Sequence, residues 1–196
     1  WPNPRLCRHL HLPLQSGCDA TLARMGRRYT AAYYREIVEA MRRAAPGIAI
    51  TTDMIVGFPG ETEAEFAASM AFVRQMEFAR LHVFAYSRRE GTLAATMPAQ
   101  VPPSVKEERS AQMRQLGEAM ACAFRASFVG ETLDVLWENR LSPGPEGTSL
   151  WRGLTDNYVP VLAVSREALA NRILPAKLYA SCGDVVWREL SRQSRS

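Results

Sequence analysis

The sequence predicts an α/β fold, part of a parallel-stranded barrel, followed by a small all-β module. Three observations carry this. Over roughly the first hundred residues, strand-like and helix-like runs alternate with short connections, the signature of parallel strands joined by crossover helices. A long helix comes next. Beyond Gly130 the pattern changes to short strands separated by Pro/Gly turns, which places a domain boundary near residues 126 to 130.

The elements follow in order. From Arg8 to Leu14, Leu10, Leu12 and Leu14 alternate with His9 and His11, the period of a strand. A short helix spans Asp19 to Met25, and Thr30 caps a second helix with Tyr34, Ile37, Val38 and Met41 on one face, ended by Pro46-Gly47. The run Ile48 to Val56 is rich in β-branched residues and reads as a buried strand before the Gly57-Phe58-Pro59-Gly60 turn. Thr62 and Glu65 form a capping box for a helix whose buried stripe is Phe66, Met70 and Val73, and a strand from Arg80 to Tyr86 follows. Ser87 to Pro103 is a loop with three prolines, after which Ser104 and Glu107 make a second capping box for a long helix reaching about Phe128. In the β-module, Leu133, Val135 and Trp137 alternate, Ser142 to Pro145 turn, and further strands run Tyr158 to Val164 and Val185 to Leu190. Three parallel strands do not close a barrel; they form part of one whose earlier strands precede Trp1. Trp1 in place of Met, with Pro2-Asn3-Pro4 running straight into an apolar alternation, points the same way: the chain reads as the C-terminal part of something larger.

Apolar residues make up 47% and charged residues 22%, the balance of a globular protein with a sizeable core rather than of a disordered chain. No apolar stretch approaches the ~20 residues that span a bilayer, and no leader pattern is present, so the protein reads as cytoplasmic, with no membrane partner. The net charge of +4 rests on arginine, Lys106 and Lys177 being the lysines. Arginine's planar fork suits phosphate and stacks on bases, which favours an anionic partner. Cys7, Cys18, Cys122 and Cys182 are scattered without the short spacings that hold one metal, and are expected as small buried or half-buried residues.

The densest polar constellation is Leu12-Pro-Leu-Gln-Ser-Gly-Cys-Asp19, then Met25-Gly-Arg-Arg-Tyr-Thr30, then Thr51-Thr-Asp-Met-Ile-Val-Gly-Phe-Pro-Gly-Glu-Thr62. These residues fall at C-terminal ends of parallel strands, where barrels present ligands. Gln15 ends the first strand. Asp53 shares a strand face with Thr51 and Ile55, giving a carboxylate that accepts from hydroxyls beside an isoleucine that covers a ring. Gly57 removes a side chain where a flat ring approaches the backbone. Arg27, on the turn after the first strand, offers a bidentate fork to a carboxylate.

These motifs, with Tyr86-Ser-Arg-Arg-Glu-Gly-Thr92, Ala94-Ala-x-Met-Pro-x-Gln-Val101 and Lys106-x-Glu-Arg109, resemble the successive motifs of the radical-SAM methylthiotransferases over residues 5 to 110. The resemblance implies a radical-SAM partial TIM-type barrel (residues 1–127) followed by an OB-like TRAM domain that binds RNA (residues 128–192). It implies that Gln15, Ser16, Arg27, Asp53, Ile55, Gly57 and Phe84 hold S-adenosyl-L-methionine, with Arg27 on its amino-acid carboxylate and Ile55 and Phe84 beside its adenine. Arg140, Trp151, Arg152 and Tyr158 are of the kind that stack on unpaired bases and meet phosphates, whereas Trp137, in an alternating strand, belongs to a core. Gly153-Leu-Thr-Asp-Asn-Tyr-Val-Pro-Val161 resembles the variant acting on N6-threonylcarbamoyladenosine next to the tRNA anticodon, and Arg89 is more like the tRNA enzymes than their ribosomal-protein relative.

The family's two [4Fe-4S] clusters have no ligands here, since the three-cysteine motif C-x-x-x-C-x-x-C is absent. No catalytic residue and no metal ligand is therefore assigned, and the chain alone is expected to be inactive. His9 and His11 are expected to pack or hydrogen-bond. The parent enzyme would need tRNA, S-adenosylmethionine, a reductant and a sulfur donor. Three alternatives stand beside this reading: a methylthiotransferase for isopentenyladenosine in tRNA, one for a ribosomal protein, and a non-catalytic RNA-binding protein.

Overall fold

β-Branched side chains fit a pleated, covered surface, and the run ending at Val56 forms the middle strand of a three-stranded sheet. The structure is a computed structural model describing residue 3, residues 5–182 and residues 185–188. The sheet order is β1 (His9–His11), β2 (Ala49–Val56), β3 (Arg80–Ala85). β2 and β3 pair in parallel, with Asp53 opposite His82 and Ile55 opposite Phe84. The crossovers are α1 (Asp19–Arg24), α2 (Ala31–Ala44) and α3 (Glu63–Met76). Thr30 caps α2 by accepting from the Tyr33 N–H, and the Thr62/Glu65 capping box forms with both halves present.

β1 is short because Pro13 brings no N–H to the ladder. Side chains take over: the Leu14 N–H donates to Thr52 Oγ1 at 2.9 Å, and the Thr52 and Tyr34 hydroxyls both donate to Leu12 O at 2.6 Å. Pairing resumes at Gln15, which bridges Met54 with a φ of 70°. Burial raises the Tyr34 hydroxyl to about 12, so it remains a donor. Ile50, Met54 and Val56 face Val38, Phe66, Val73 and Met113 in the core.

The segment after β3 contains a one-turn helix, α4 (Leu93–Thr96), in place of the expected continuous loop. The long helix α5 (Pro103–Ala126) starts two residues earlier than a Ser104 cap allows, so the expected Ser104/Glu107 capping box is corrected. Pro103 needs no hydrogen-bond acceptor in a first turn, and Ser104 falls inside the helix. Among the cysteines, Cys7 and Cys122 are exposed and Cys18 half-buried, so the expectation of burial fails for the first two. Cys122 follows the buried Met120 and Ala121 on α5, at the point where the helix turns its next side chains to solvent.

By compactness the chain divides at Ala121/Cys122 and at His9/Leu10. The second unit is a closed barrel of β4 (Thr132–Pro143), β5 (Ser149–Thr155), β6 (Pro160–Ser165), β7 (Arg172–Cys182) and β8 (Val185–Arg188) in the order β4-β5-β6-β8-β7. β6 and β8 pair in parallel, and the other neighbours are antiparallel. β5 and β7 go beyond the expected strands, and the end of the expected strand Val185 to Leu190, like residues 189–192 of the expected TRAM domain, lies outside the described residues. Trp137, Trp151, Val135, Val161 and Leu178 fill the interior. The leading segment up to His9 belongs to this unit: Arg8 grips Asp156 with two bonds of 2.7 and 2.8 Å, and His9 stacks on Tyr158 at 4.5 Å.

Candidate functional site

Strand alternation divides β2 into two faces. Ile50, Thr52, Met54 and Val56 are buried under the helices, while Asp53 and Ile55 are half-buried on the other side. Register then brings His82 beside Asp53 and Phe84 beside Ile55, and Phe84 is 54% exposed. His11 completes the face: its Nε2 lies 3.3 Å from Asp53 Oδ2 and its Nδ1 3.0 Å from Thr51 Oγ1. The His11 and His82 rings meet edge to face at 5.7 Å. The product is a carboxylate held by an imidazole and flanked by an aliphatic and an aromatic plate. The expectation that His11 packs or hydrogen-bonds holds in its hydrogen-bonding form, while His82 carries no role in the sequence reading. The pairing of β2 with β3 puts His82 beside Asp53, a neighbour that no single strand's alternation reveals.

Gln15 and Ser16 lie at the end of β1, both buried; the Gln15 N–H donates to Asp53 O at 2.8 Å and Ser16 Oγ accepts from the Cys18 N–H. Arg27 stands exposed on the turn after α1 and has no ion pair among the described residues. Gly57, expected to clear space for a ring, is explained otherwise. Its φ is 71°, and a Cβ there would overlap Lys106 Cγ, so the missing side chain makes room for a residue of α5.

The turn after β2 is fixed by a buried ion pair. Glu61 Oε1 accepts from the Gly57 N–H at 2.9 Å and from Arg109 Nη1 at 2.8 Å, and Arg109 also donates to Glu61 O and Glu63. Burial pushes the Glu61 carboxyl up, against the Gly57 N–H and Arg109, which pull it down. Glu65 moves the other way: the Arg24 fork, at 2.9 and 2.5 Å, holds it below the usual carboxylate range.

With this geometry in place, the radical SAM superfamily model matches residues 3–73. Threonylcarbamoyladenosine tRNA methylthiotransferase MtaB of Bacillus subtilis is 37% identical over 174 residues, 89% of this chain and 38% of that protein. The tRNA-2-methylthio-N(6)-dimethylallyladenosine synthase of Sorangium cellulosum is 46% identical over 79% of this chain and 32% of its own length. MtaB of Thermotoga maritima is 43% identical over 69% of this chain and 31% of its own length. The chain belongs to the radical SAM methylthiotransferases. It spans between three- and four-tenths of the length of these relatives. Among solved structures, coproporphyrinogen III oxidase (HemN) from Escherichia coli aligns over 63% of this chain and 28% of its own, with a TM-score of 0.48 and 20% identity.

The cofactors a radical SAM methylthiotransferase implies can be tested against the residues present. S-adenosylmethionine fits the β2–β3 face: Asp53 accepts from hydroxyls, and Ile55 with the exposed Phe84 ring offers an apolar seat for a flat base. An iron-sulfur cluster does not fit, since the described residues hold no group of three or more His, Cys, Asp or Glu arranged for a metal.

On the barrel, Arg140, Arg152 and Tyr158 are exposed, the last with a φ of 62°. Trp151, expected among the RNA contacts, is corrected: it is 6% exposed and packs in the barrel core with Trp137. Its strand parity points inward while Arg152 points out. Among the described residues no helix is long and apolar enough to cross a membrane.

Proposed function

We propose that this chain forms the cofactor-facing and RNA-facing part of an enzyme that adds a methylthio group to carbon 2 of N6-threonylcarbamoyladenosine beside the tRNA anticodon. The observation that carries the reading is the β2–β3 face, where half-buried Asp53 and Ile55 stand beside the exposed Phe84 on the side of the sheet away from the helices. Asp53 receives the ribose hydroxyls of S-adenosylmethionine, held in place by His11, and Ile55 and Phe84 bracket the adenine. Gln15 and Ser16 shape the neighbouring strand end, and Arg27 takes the amino-acid carboxylate. When bound, the cofactor supplies the one-electron chemistry, and the protein supplies orientation. The barrel acts as a TRAM module, with Arg140 and Arg152 meeting phosphates and Tyr158 stacking on a base. The clusters, the reductant and the sulfur donor are not provided by this chain, which alone is inactive. Cytoplasmic tRNA is the substrate.

Nucleoside mass spectrometry of tRNA from a deletion strain tests this. Loss of the methylthio form of threonylcarbamoyladenosine, restored by the intact protein and not by its Asp53→Ala variant, supports it. The Sorangium relative favours a second outcome, loss of the methylthio dimethylallyl nucleoside, which would replace the substrate named here. Unchanged tRNA with an unmodified ribosomal-protein aspartate would sink both, and restoration by Asp53→Ala would favour a non-catalytic RNA binder.

A further inference from the structure

A cleft of about 450 Å³ opens at the C-terminal end of β3, and Asp53, Ile55 and Phe84 are not among its lining residues. One stripe of α5 lines it, Lys106, Ser110 and Arg114 at intervals of four with Glu107 beside them, and Tyr86 and Arg88 line it from the chain leaving β3. Three cations face a single carboxylate. Lys106 Nζ donates to Tyr86 O at 3.1 Å and lies 5.6 Å from the centre of the Tyr86 ring, which anchors its stem and leaves two of its protons for a ligand. Arg88 and Arg114 are exposed and have no ion pair among the described residues. Ser110 is 3% exposed, and its Oγ has no hydrogen-bond partner; the Tyr86 hydroxyl is likewise buried and unpartnered. Unsatisfied buried hydroxyls are costly, and two on one basic cleft ask for an acceptor from outside the chain. The positive end of α5 adds to the same field, since Pro103 at its first turn also lines the cleft.

We infer that this cleft seats a phosphate of the substrate RNA backbone, with Arg88 and Arg114 as the charge-bearing contacts, Lys106 as the anchored cation and Ser110 as a hydroxyl donor. The inference rests on the RNA reading of the previous section and adds a point of attachment outside the barrel. A phosphate group fits better than a carboxylate because three cations and two hydroxyls exceed what two oxygens accept. The same chemistry is offered by free phosphate, so the test separates the two sources.

Binding of an anticodon stem-loop RNA to the intact protein is measured by fluorescence anisotropy across a salt series, alongside calorimetric titration with inorganic phosphate. The Arg88→Ala/Arg114→Ala double variant is expected to bind RNA roughly tenfold more weakly, with the slope of log K against log salt shallower by about 0.7–0.9 for each phosphate that is no longer neutralised. Arg74→Ala, an exposed arginine of α3, is expected to leave both unchanged. Ser110→Ala is expected to weaken RNA binding roughly threefold without lowering Tm, because it deletes a hydroxyl that is unsatisfied in the free protein. A double variant with wild-type affinity and slope overturns the cleft while leaving the RNA reading intact. Phosphate binding that the double variant loses while RNA affinity holds also overturns it, and assigns the cleft to free phosphate. Failure of the wild type to bind RNA overturns both readings together.

Discussion

The two units handle polar residues in opposite ways. The α/β unit buries Ile50, Met54 and Val56 on one side of its sheet and keeps a hydrogen-bonded set, His11, Thr51 and Asp53, on the other. The barrel packs Trp137 and Trp151 inside and leaves Arg140, Arg152, Arg166 and Arg172 outside. An open sheet has a second face on which chemistry can be prearranged by register, whereas a small closed barrel has an interior filled by packing and only an outer surface to offer. The first suits a small ligand that must be oriented, the second a long polyanion that must be gripped.

Trp137→Ala breaks the comparison most directly. Emptying the barrel centre is expected to cost about 3–5 kcal/mol. In a urea titration the barrel transition should move to lower denaturant and that of the α/β unit should stay; one transition moving as a whole would show that the units do not unfold separately.

Arg109→Met tests the α/β unit at a comparable or slightly smaller scale. It leaves the buried Glu61 carboxylate without its cation, at a cost of about 3–5 kcal/mol at neutral pH. The pH dependence has a defined sign. Glu61 has a folded value raised above its ordinary 4.5, so its contribution is full below 4.5 and is lost as pH rises through the folded value. Removing Arg109 raises that value further and should extend the loss toward neutrality, as stability curves from about pH 4 to 8 would show. Glu65, lowered by Arg24, contributes in the opposite sense, present above 4.5 and lost on acidification.

Smaller effects sharpen the division of labour. Tyr158→Ala is expected to weaken RNA binding by about 1–3 kcal/mol and leave S-adenosylmethionine binding unchanged. Asp53→Ala should do the reverse, with both affinities measured on the intact protein; a variant that weakens both would dissolve the distinction. Thr62→Ala, which removes one half of the α3 capping box, should cost about 1 kcal/mol in thermal unfolding.

Features that depend on near neighbours were legible in the sequence. The Thr62/Glu65 box is complete within four residues, and it forms. The same spacing at Ser104/Glu107 does not, because the adjacent Pro103 is itself a good first helical residue. Strand parity was harder: Trp151 and Arg152 are neighbours, and only the register with β4 and β6 decides which faces the core. β7 was hidden by Pro175, a residue that argues against a strand, yet it pairs opposite Asp134. The site followed the same rule. Asp53 and Ile55 were readable from alternation within one strand, while His82 and the basic cleft depend on how separate elements come together. Gly57 was read correctly as a place where a side chain does not fit, but the occupant is Lys106, nearly fifty residues further along.

The bidentate grip of Arg8 on Asp156 joins residues 148 positions apart. During synthesis Arg8 and His9 leave the ribosome long before the turn they bind exists, by roughly 7–30 s at ordinary elongation rates. Residues Leu10–Ala121 of the α/β unit emerge within that interval and can fold before the clasp closes, so the clasp forms only once the barrel turn has been made. A translational pause or truncation ahead of Asp156 would release chains whose α/β unit is finished and whose leading arginine and histidine are still waiting for their partners.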